Sequence, residues 1–171
     1  MAMEIALLQR FGLFLGHPNY ALSVVLAALL LFTGIGALFS RTLVAAAGQL
    51  RFVSYALVGL LALEHLLAFP FLPRLIGLPF AARVALVFAL VAPVGVCLGV
   101  FMPTGLDRLK AAAPAFVPWA WGINGIFSVL APLVAVGLSM SWGITVLLAA
   151  SLPFYLAAGL LLPSAPAPGG R

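Results

Sequence analysis

The chain has 171 residues, of which 65% are hydrophobic and 6% are charged. Soluble domains carry about 25% charged residues, so this composition cannot cover a water-exposed surface and predicts an integral membrane protein. The formal net charge is +5, but the eight lysines and arginines stand singly between apolar runs. Nucleic-acid binding needs basic residues in a patch or stripe. The composition therefore argues against a nucleic-acid partner and predicts that the lipid bilayer surrounds most of the chain.

Six apolar segments predict one all-α transmembrane domain, a polytopic helical bundle over residues 1–162. The segments are 3–16, 18–40, 50–72, 81–101, 116–138 and 142–162. Crossing about 30 Å of hydrocarbon takes about 20 helical residues. The first segment is short, because its length as a helix is only about 21 Å. All six are apolar on every face, which disfavours membrane strands, so we expect five full spans and a short N-terminal helix.

The sequence GHPNY at residues 16–20 interrupts the apolar run between the first two segments. Pro18 lacks an amide donor and disfavours helix at His17. Asn19 and Tyr20 suit a tight turn and an interfacial ring. This stretch predicts a hairpin turn at one membrane face. A role for His17 as a ligand or proton carrier is the alternative, and only the ordinary proton chemistry of histidine supports it.

The basic residues between the segments indicate an orientation. Six alternating segments place five basic residues on one side and two on the other. The five are Arg41, Arg51, Arg108, Lys110 and Arg171, and the two are Arg74 and Arg83. Cytoplasmic loops carry an excess of lysine and arginine, so both termini are expected in the cytoplasm.

Residues 163–171, with the sequence PSAPAPGGR, lack apolar periodicity and predict a disordered tail. The single cysteine, Cys97, lies in an apolar segment. One cysteine excludes an internal disulfide, and its surroundings favour a small packing residue.

Two pairs of glycines are spaced four residues apart, which lets helix backbones approach closely in lipid. The pairs are Gly12 with Gly16 and Gly95 with Gly99. We interpret all four as helix-packing positions within the chain, in preference to a dedicated dimer face.

Glu64, His65 and Asn124 are candidates for an intramembrane polar site, because each interrupts an apolar segment. A charged side chain in hydrocarbon costs several kcal/mol unless it is paired, neutralised or wetted. For Glu64 and His65 two interpretations stay open: a functional site, or an edge pair that extends to the headgroups. For Asn124, an amide hydrogen bond between helices is favoured over a binding role.

Motifs for catalysis are absent from the sequence, which has no HExxH, GxSxG, CxxC or phosphate-binding glycine loop. The carboxylates Glu4, Glu64 and Asp107 are not paired along the chain. We therefore predict no catalytic residue, no metal site and no cofactor.

The sequence EIALLQRFGLFLGHPNYALSVVLAALLLFTGIGALFS at residues 4–40 resembles the C-terminal membrane region of bacterial membrane-integrated spermidine synthase-like proteins. FMPTGLDRLK at 101–110 and PWAWGINGIFSVL at 118–130 are similar to later parts of that region, so the resemblance covers about residues 4–162. In that family an aminopropyltransferase domain is joined to hydrophobic helices. This sequence has no counterpart of that domain, so no catalytic residue carries over. The resemblance implies a membrane module in the bacterial inner membrane.

Two functional hypotheses follow. The leading one is a non-catalytic, multi-pass membrane module that anchors or completes a larger assembly, with a protein partner or as a homo-oligomer. The alternative is a transporter-like half-unit for a small solute, acting as a homodimer, because six helices with both termini inside are half of a major facilitator transporter. Against it, that family has its basic loop between the second and third helices, whereas GLDRLK falls between the fourth and fifth segments. A membrane enzyme has only the three candidate polar residues to use.

Overall fold

A computed structural model describes residues 2–47 and 49–161, and every regular element in these ranges is helical. The α-helices are α1 (Ala2–Leu15), α2 (Pro18–Leu38), α3 (Ser40–Ala47), α4 (Leu50–Leu63), α5 (Phe80–Ala112), α6 (Val117–Trp142) and α7 (Ile144–Leu161). A π-helical turn at Glu64–Ala68 extends α4, and short 3₁₀ turns lie at Leu72–Leu75 and Pro114–Phe116.

Five of these helices are long and apolar enough to cross a membrane. They are Pro18–Leu38, Leu50–Ala68, Phe80–Ala112, Pro114–Trp142 and Ile144–Leu161. The preceding helix, α1, has 14 residues. The predicted all-helical architecture, with five long apolar helices after a short one, is confirmed for the described residues. The predicted tail, 163–171, lies outside them.

The turn between α1 and α2 is tighter than the sequence suggested. Gly16 has a φ of 83°, a left-handed conformation that favours glycine, and its N–H donates to the Gly12 carbonyl at 3.2 Å. The Nδ1 atom of His17 accepts a hydrogen bond from the Asn19 amide at 3.3 Å and so caps α2. Pro18 occupies the first turn of α2, where its missing N–H costs nothing. Asn19 and Tyr20 therefore belong to α2 and not to the turn.

Helix α1 lies in the core of the bundle although it is short. Its buried residues are Met3, Ala6, Leu7, Phe11, Phe14 and Leu15. The guanidinium of Arg83 in α5 donates to the Phe14 and Leu15 carbonyls at 3.2 and 3.4 Å. These carbonyls have no partner within the helix, and a cation there also complements the helix dipole. Arg83 thus fixes the carboxyl end of α1.

Helices α2 and α5 run parallel and form the closest helix pair. A Cβ at Gly99 would overlap the Thr33 carbonyl, and a Cβ at Gly36 would overlap the Val96 carbonyl. A Cβ at Gly95 would come within 2.8 Å of the Phe32 Cβ. The two backbones are therefore in contact, which only glycine permits here.

The other predicted glycine pair behaves differently. A Cβ at Gly12 would meet Ala21 at an ordinary 3.6 Å, and Gly16 lies in the turn after α1. A close approach that the sequence reading missed joins α4 to α7, because a Cβ at Gly159 would overlap the Ser54 side chain.

Two stretches taken as connections are helical. Residues 40–47 form α3, and α5 continues to Ala112, so Arg108 and Lys110 lie on a helix and not in a loop. Pro103 is accommodated inside α5, since a proline removes only one backbone donor, the one that would bond the Gly99 carbonyl. Arg51 likewise belongs to α4.

The bundle has two distinct ends. The basic end carries Arg41, Arg51, Asp107, Arg108 and Lys110. The hairpin end carries His17, Arg74 and Arg83. The charge grouping expected from alternating segments is thus present among the described residues, and Arg171 lies outside them.

Candidate functional site

Glu64 is the first residue of the π-helical turn that extends α4. The Phe69 amide donates to the Glu64 carbonyl across five residues, at 2.8 Å. An α-helical turn would pair residue 68 with residue 64 instead. The wider turn brings Glu64 and Phe69 to the same face, and both are buried. Single π turns inside α-helices occur frequently at functional sites.

The Glu64 side chain points into the bundle. It is 6% exposed and shares its helix face with the core residues Leu57 and Leu61. Its Oε2 atom is buried and accepts no hydrogen bond from the described residues. A buried polar oxygen without a donor is costly, so this position has unused capacity to bind a proton or a hydrogen-bond donor.

His65 faces elsewhere. Its ring is half-buried and meets the Phe69 ring edge-on, with centroids 6.1 Å apart. It lines an apolar cleft of about 260 Å³ between the end of α4 and α7, which Thr145 also lines. The structure therefore does not combine Glu64 and His65 into one site. The Glu64 side chain is buried in the bundle and does not extend outward as in the edge-pair interpretation.

Two polar side chains of α1, Gln9 and Arg10, are half-buried, and the sequence analysis missed both. The Arg10 guanidinium lies over the Phe69 ring, 4.8 Å from its centroid. Gln9 donates through Nε2 to the Ser139 hydroxyl of α6 at 2.8 Å. The Arg10 Nε and the Gln9 Oε1 are buried without a hydrogen-bond partner among the described residues. The sequence did carry a signal for them, because Gln9 and Arg10 are adjacent polar residues inside an apolar segment.

A cleft of about 720 Å³ opens between α1, α2 and the junction of α6 with α7. Gln9 and Ser139 line it among apolar residues such as Leu13 and Met140. Arg10 lies over Phe69, whereas Gln9 faces α6, so the two side chains of α1 point to different neighbours.

Asn124 is far from this region. It lies on α6 and is exposed. Its backbone carbonyl accepts a hydrogen bond from the Ser128 hydroxyl at 2.7 Å. The expected amide bond to another helix is therefore not made within the described residues.

At the basic end, Arg41 of α3 donates to the Asp107 carboxylate of α5 at 2.9 Å. The hydrogen bond to Asp107 raises the pKa of the Arg41 guanidinium, so Arg41 remains charged. Both side chains are exposed, at 86% and 40%. Exposed ion pairs contribute little to stability, so this pair orients α3 beside α5 and is not a reactive site.

No group of three or more His, Cys, Asp or Glu side chains in the ranges 2–47 and 49–161 is arranged to hold a metal ion. The chain matches no protein-family model, no curated protein and no solved structure. The geometry of its own residues therefore carries the functional argument.

Proposed function

We propose that the chain is a multi-pass integral membrane module that anchors or completes a larger membrane assembly. Its five long apolar helices expose many large hydrophobic side chains, which lipid solvates. The positive-inside rule favours a cytoplasmic basic end. In that orientation both termini lie in the cytoplasm. The resemblance to a bacterial family supports the inner membrane of a bacterium as the location of the module.

Helix α6 is the observation that carries this proposal. Only 6% of its most apolar window is buried, against 22% to 33% in the other four long helices. Ala135 is the buried residue of α6. A lipid-facing helix needs no polar side chain, yet α6 carries the exposed amide of Asn124. A partner helix would supply the hydrogen bond that lipid cannot.

The resemblance to the membrane region of spermidine synthase-like proteins supports the same proposal. In those proteins the hydrophobic helices are joined to a catalytic domain. The residues given carry no counterpart of the catalytic residues, so the proposal places the chemistry of the assembly outside them.

Affinity purification from native membranes in mild detergent tests the proposal. We expect a complex larger than the 17.8 kDa monomer, identified by mass spectrometry and sized by light scattering. Asn124→Leu should reduce recovery of the complex, while Ile126→Leu, an apolar exchange at an exposed position of the same helix, should not. A monomer without co-purifying protein would contradict the proposal.

A second candidate function is the half-unit transporter, and the buried Glu64 favours it. Carboxyls inside membrane bundles often relay protons or bind cations, and Glu64 has an unpaired buried oxygen. The test is proton flux into vesicles that contain the purified chain and a trapped pH dye. This candidate requires flux that Glu64→Gln abolishes, and flux equal to protein-free vesicles would reject it.

A further inference from the structure

Arg10 is a cation inside the bundle whose donors are not satisfied. It is half-buried on α1, and its guanidinium lies over the Phe69 ring, 4.8 Å from the centroid. Its Nε atom is buried, and no described residue accepts a hydrogen bond from it. An arginine side chain is positively charged and carries five N–H donors, and a buried charge is costly unless it is paired. The Phe69 ring attracts the cation through its face, but it leaves the buried Nε without an acceptor.

The three carboxylate side chains of the sequence do not provide the missing anion. Asp107 accepts its hydrogen bond from Arg41 at the basic end. Glu64 lies in the core, and its Oε2 atom has no hydrogen-bond partner within 2–47 and 49–161. Glu4 lies six residues before Arg10 on α1, which places it about 9 Å along the helix and about 120° around it. An anion that pairs with Arg10 therefore comes from outside the described residues.

A small cavity lies beside Arg10 and could receive such an anion. It has a volume of about 90 Å³ and is bordered by Arg10, by Leu13 and Phe14 of the next turn of α1, and by the connection that follows α4. The bordering residues of that connection are Phe69, Leu72, Pro73 and Ile76. One water molecule needs about 10–15 Å³, so the cavity has room for the oxygen atoms of a phosphate group. Arg10 supplies charge to a cavity whose other walls are apolar.

This cavity lies near the membrane face at the hairpin end. Arg10 is five residues from the carboxyl end of α1, or about 8 Å along the helix. It borders the cavity together with Leu13 and Phe14, which are one turn nearer that end. Arginines near helix ends extend toward the headgroups while their stems follow apolar surface. Arg74 is exposed in the connection after α4 and adds a second positive charge at this end.

We propose that the cavity beside Arg10 binds the phosphate of a phospholipid from the leaflet at the hairpin end. This inference rests on the proposed function, because it requires the bundle to lie in a bilayer. The guanidinium donates two parallel hydrogen bonds to phosphate oxygens, an arrangement for which arginine is suited and lysine is not. The acyl chains lie against the apolar rim, where Leu13 and Ile76 are exposed. A headgroup with net negative charge is favoured, since Arg10 and Arg74 are both cationic.

Titration of the purified chain with defined lipids in detergent tests the inference, with native mass spectrometry to count the bound molecules. The probe is dioleoylphosphatidylglycerol, and the matched ligand is dioleoylglycerol, which has the same acyl chains and no phosphate. We expect the wild-type chain to bind the first at concentrations where the second does not bind. Inorganic phosphate is added in a separate series as a competitor.

Variants of Arg10 assign the binding to its guanidinium. Arg10→Gln should weaken binding of dioleoylphosphatidylglycerol about 10- to 100-fold, the factor for hydrogen bonds to a charged group. Arg10→Lys keeps the charge and loses the paired donors, so it should weaken binding less. Arg83→Gln is the control, because it removes the same charge at the same end, where the Arg83 guanidinium bonds the Phe14 and Leu15 carbonyls. It should leave lipid binding unchanged.

Several results would contradict the site. Equal binding of the two lipids to the wild-type chain would overturn the inference, and that comparison does not depend on the folding of any variant. Displacement of the lipid by an equal concentration of inorganic phosphate would indicate a site for the free anion and overturn the lipid. Equal weakening by Arg10→Gln and Arg83→Gln would reflect a general loss of positive charge and overturn the assignment to Arg10.

The fate of the proposed function is separable from these results. Recovery of a larger protein complex, with lipid binding that Arg10→Gln does not change, would overturn this inference alone. Release of the chain from membranes by sodium carbonate would show that it is not an integral membrane protein and would overturn both.

Discussion

At the residue scale, Glu64 faces the core because it continues the α4 face of Leu57 and Leu61, and the π turn that begins at Glu64 decides the direction of Phe69. The π turn at Glu64–Ala68 places Phe69 against Phe11 of α1, with ring centroids 6.0 Å apart. Glu64 lies in the core, and His65 lies on the side of the cleft. A buried carboxyl with an unpaired oxygen lowers stability, and such costs are typical of positions retained for function.

The stability of Glu64 variants tests this reading. We expect Glu64→Leu to raise the free energy of unfolding by about 1–3 kcal/mol, because it removes an unsatisfied buried group. Denaturation by SDS in mixed micelles measures the change. Glu64→Gln keeps the shape and a polar group, so its free energy of unfolding should rise less than that of Glu64→Leu. A loss of stability in Glu64→Leu would show that the carboxyl makes a stabilising contact.

Arg83 is the second residue whose role is local and testable. Arg83→Gln should lower the free energy of unfolding by about 0.3–2 kcal/mol, since it removes the cation from the carboxyl end of α1. Thermal unfolding in detergent gives the change. Arg74→Gln is the matched control, because Arg74 lies at the same end but stacks on the Phe71 ring. Equal effects of both variants would contradict the capping role.

At the element scale, backbone contact between parallel α2 and α5 organises the bundle. Gly36 meets the Val96 carbonyl, and Gly99 meets the Thr33 carbonyl. In lipid, helix association depends on close packing and not on hydrophobic exclusion. The pair also aligns the two ends, because Tyr20 contacts Phe80 at one end and Arg41 bonds Asp107 at the other.

Alanine at Gly36 should therefore separate the two helices. We expect Gly36→Ala to destabilise the bundle by about 1–3 kcal/mol, the usual cost of overpacking. Gly34→Ala provides the control on the same helix, because a Cβ there meets nothing within 4 Å. It should cause no loss, since alanine favours helix more than glycine does. Thermal unfolding of both variants distinguishes a steric effect from a change in helix propensity.

At the scale of the whole molecule, the bundle is uneven. Helix α1 packs in the core, whereas only 6% of the most apolar window of α6 is buried. The two ends differ in charge, with basic side chains concentrated where α3 and α5 meet. This asymmetry predicts a single orientation in the membrane.

Reporter fusions test that orientation. Fusions after Gln49 and Ala113 should be cytoplasmic, and fusions after Gly77 and Gly143 should be external, because the basic end faces the cytoplasm. A reporter that fluoresces only in the cytoplasm, paired with one active only outside, gives each position. Finding the fusions after Gln49 and Ala113 on opposite sides would contradict the arrangement of parallel α2 and α5.

The sequence by itself determined the helical class and the number of long helices. Run length and apolar composition decide these properties, because backbone groups in lipid must bond within their own segment. It also indicated the grouping of basic residues, which follows from the alternation of segments. The sequence did not predict where α5 ends. A proline and several polar residues follow Phe101, and such residues are as typical of a loop as of a helix that extends beyond the hydrocarbon.

Only the tertiary structure decided which way the polar residues face. Glu64 and His65 are neighbours with similar hydropathy, and packing against Phe69 and α7 separates them. Gly36 is as important as Gly99 for the contact between α2 and α5, because the packing of the two helices brings Gly36 to the Val96 carbonyl. Asn124 is exposed on α6, although its amide in an apolar segment predicted a bond to another helix. Which face of a helix becomes buried depends on neighbours that are distant in the chain, and the local sequence does not contain that information.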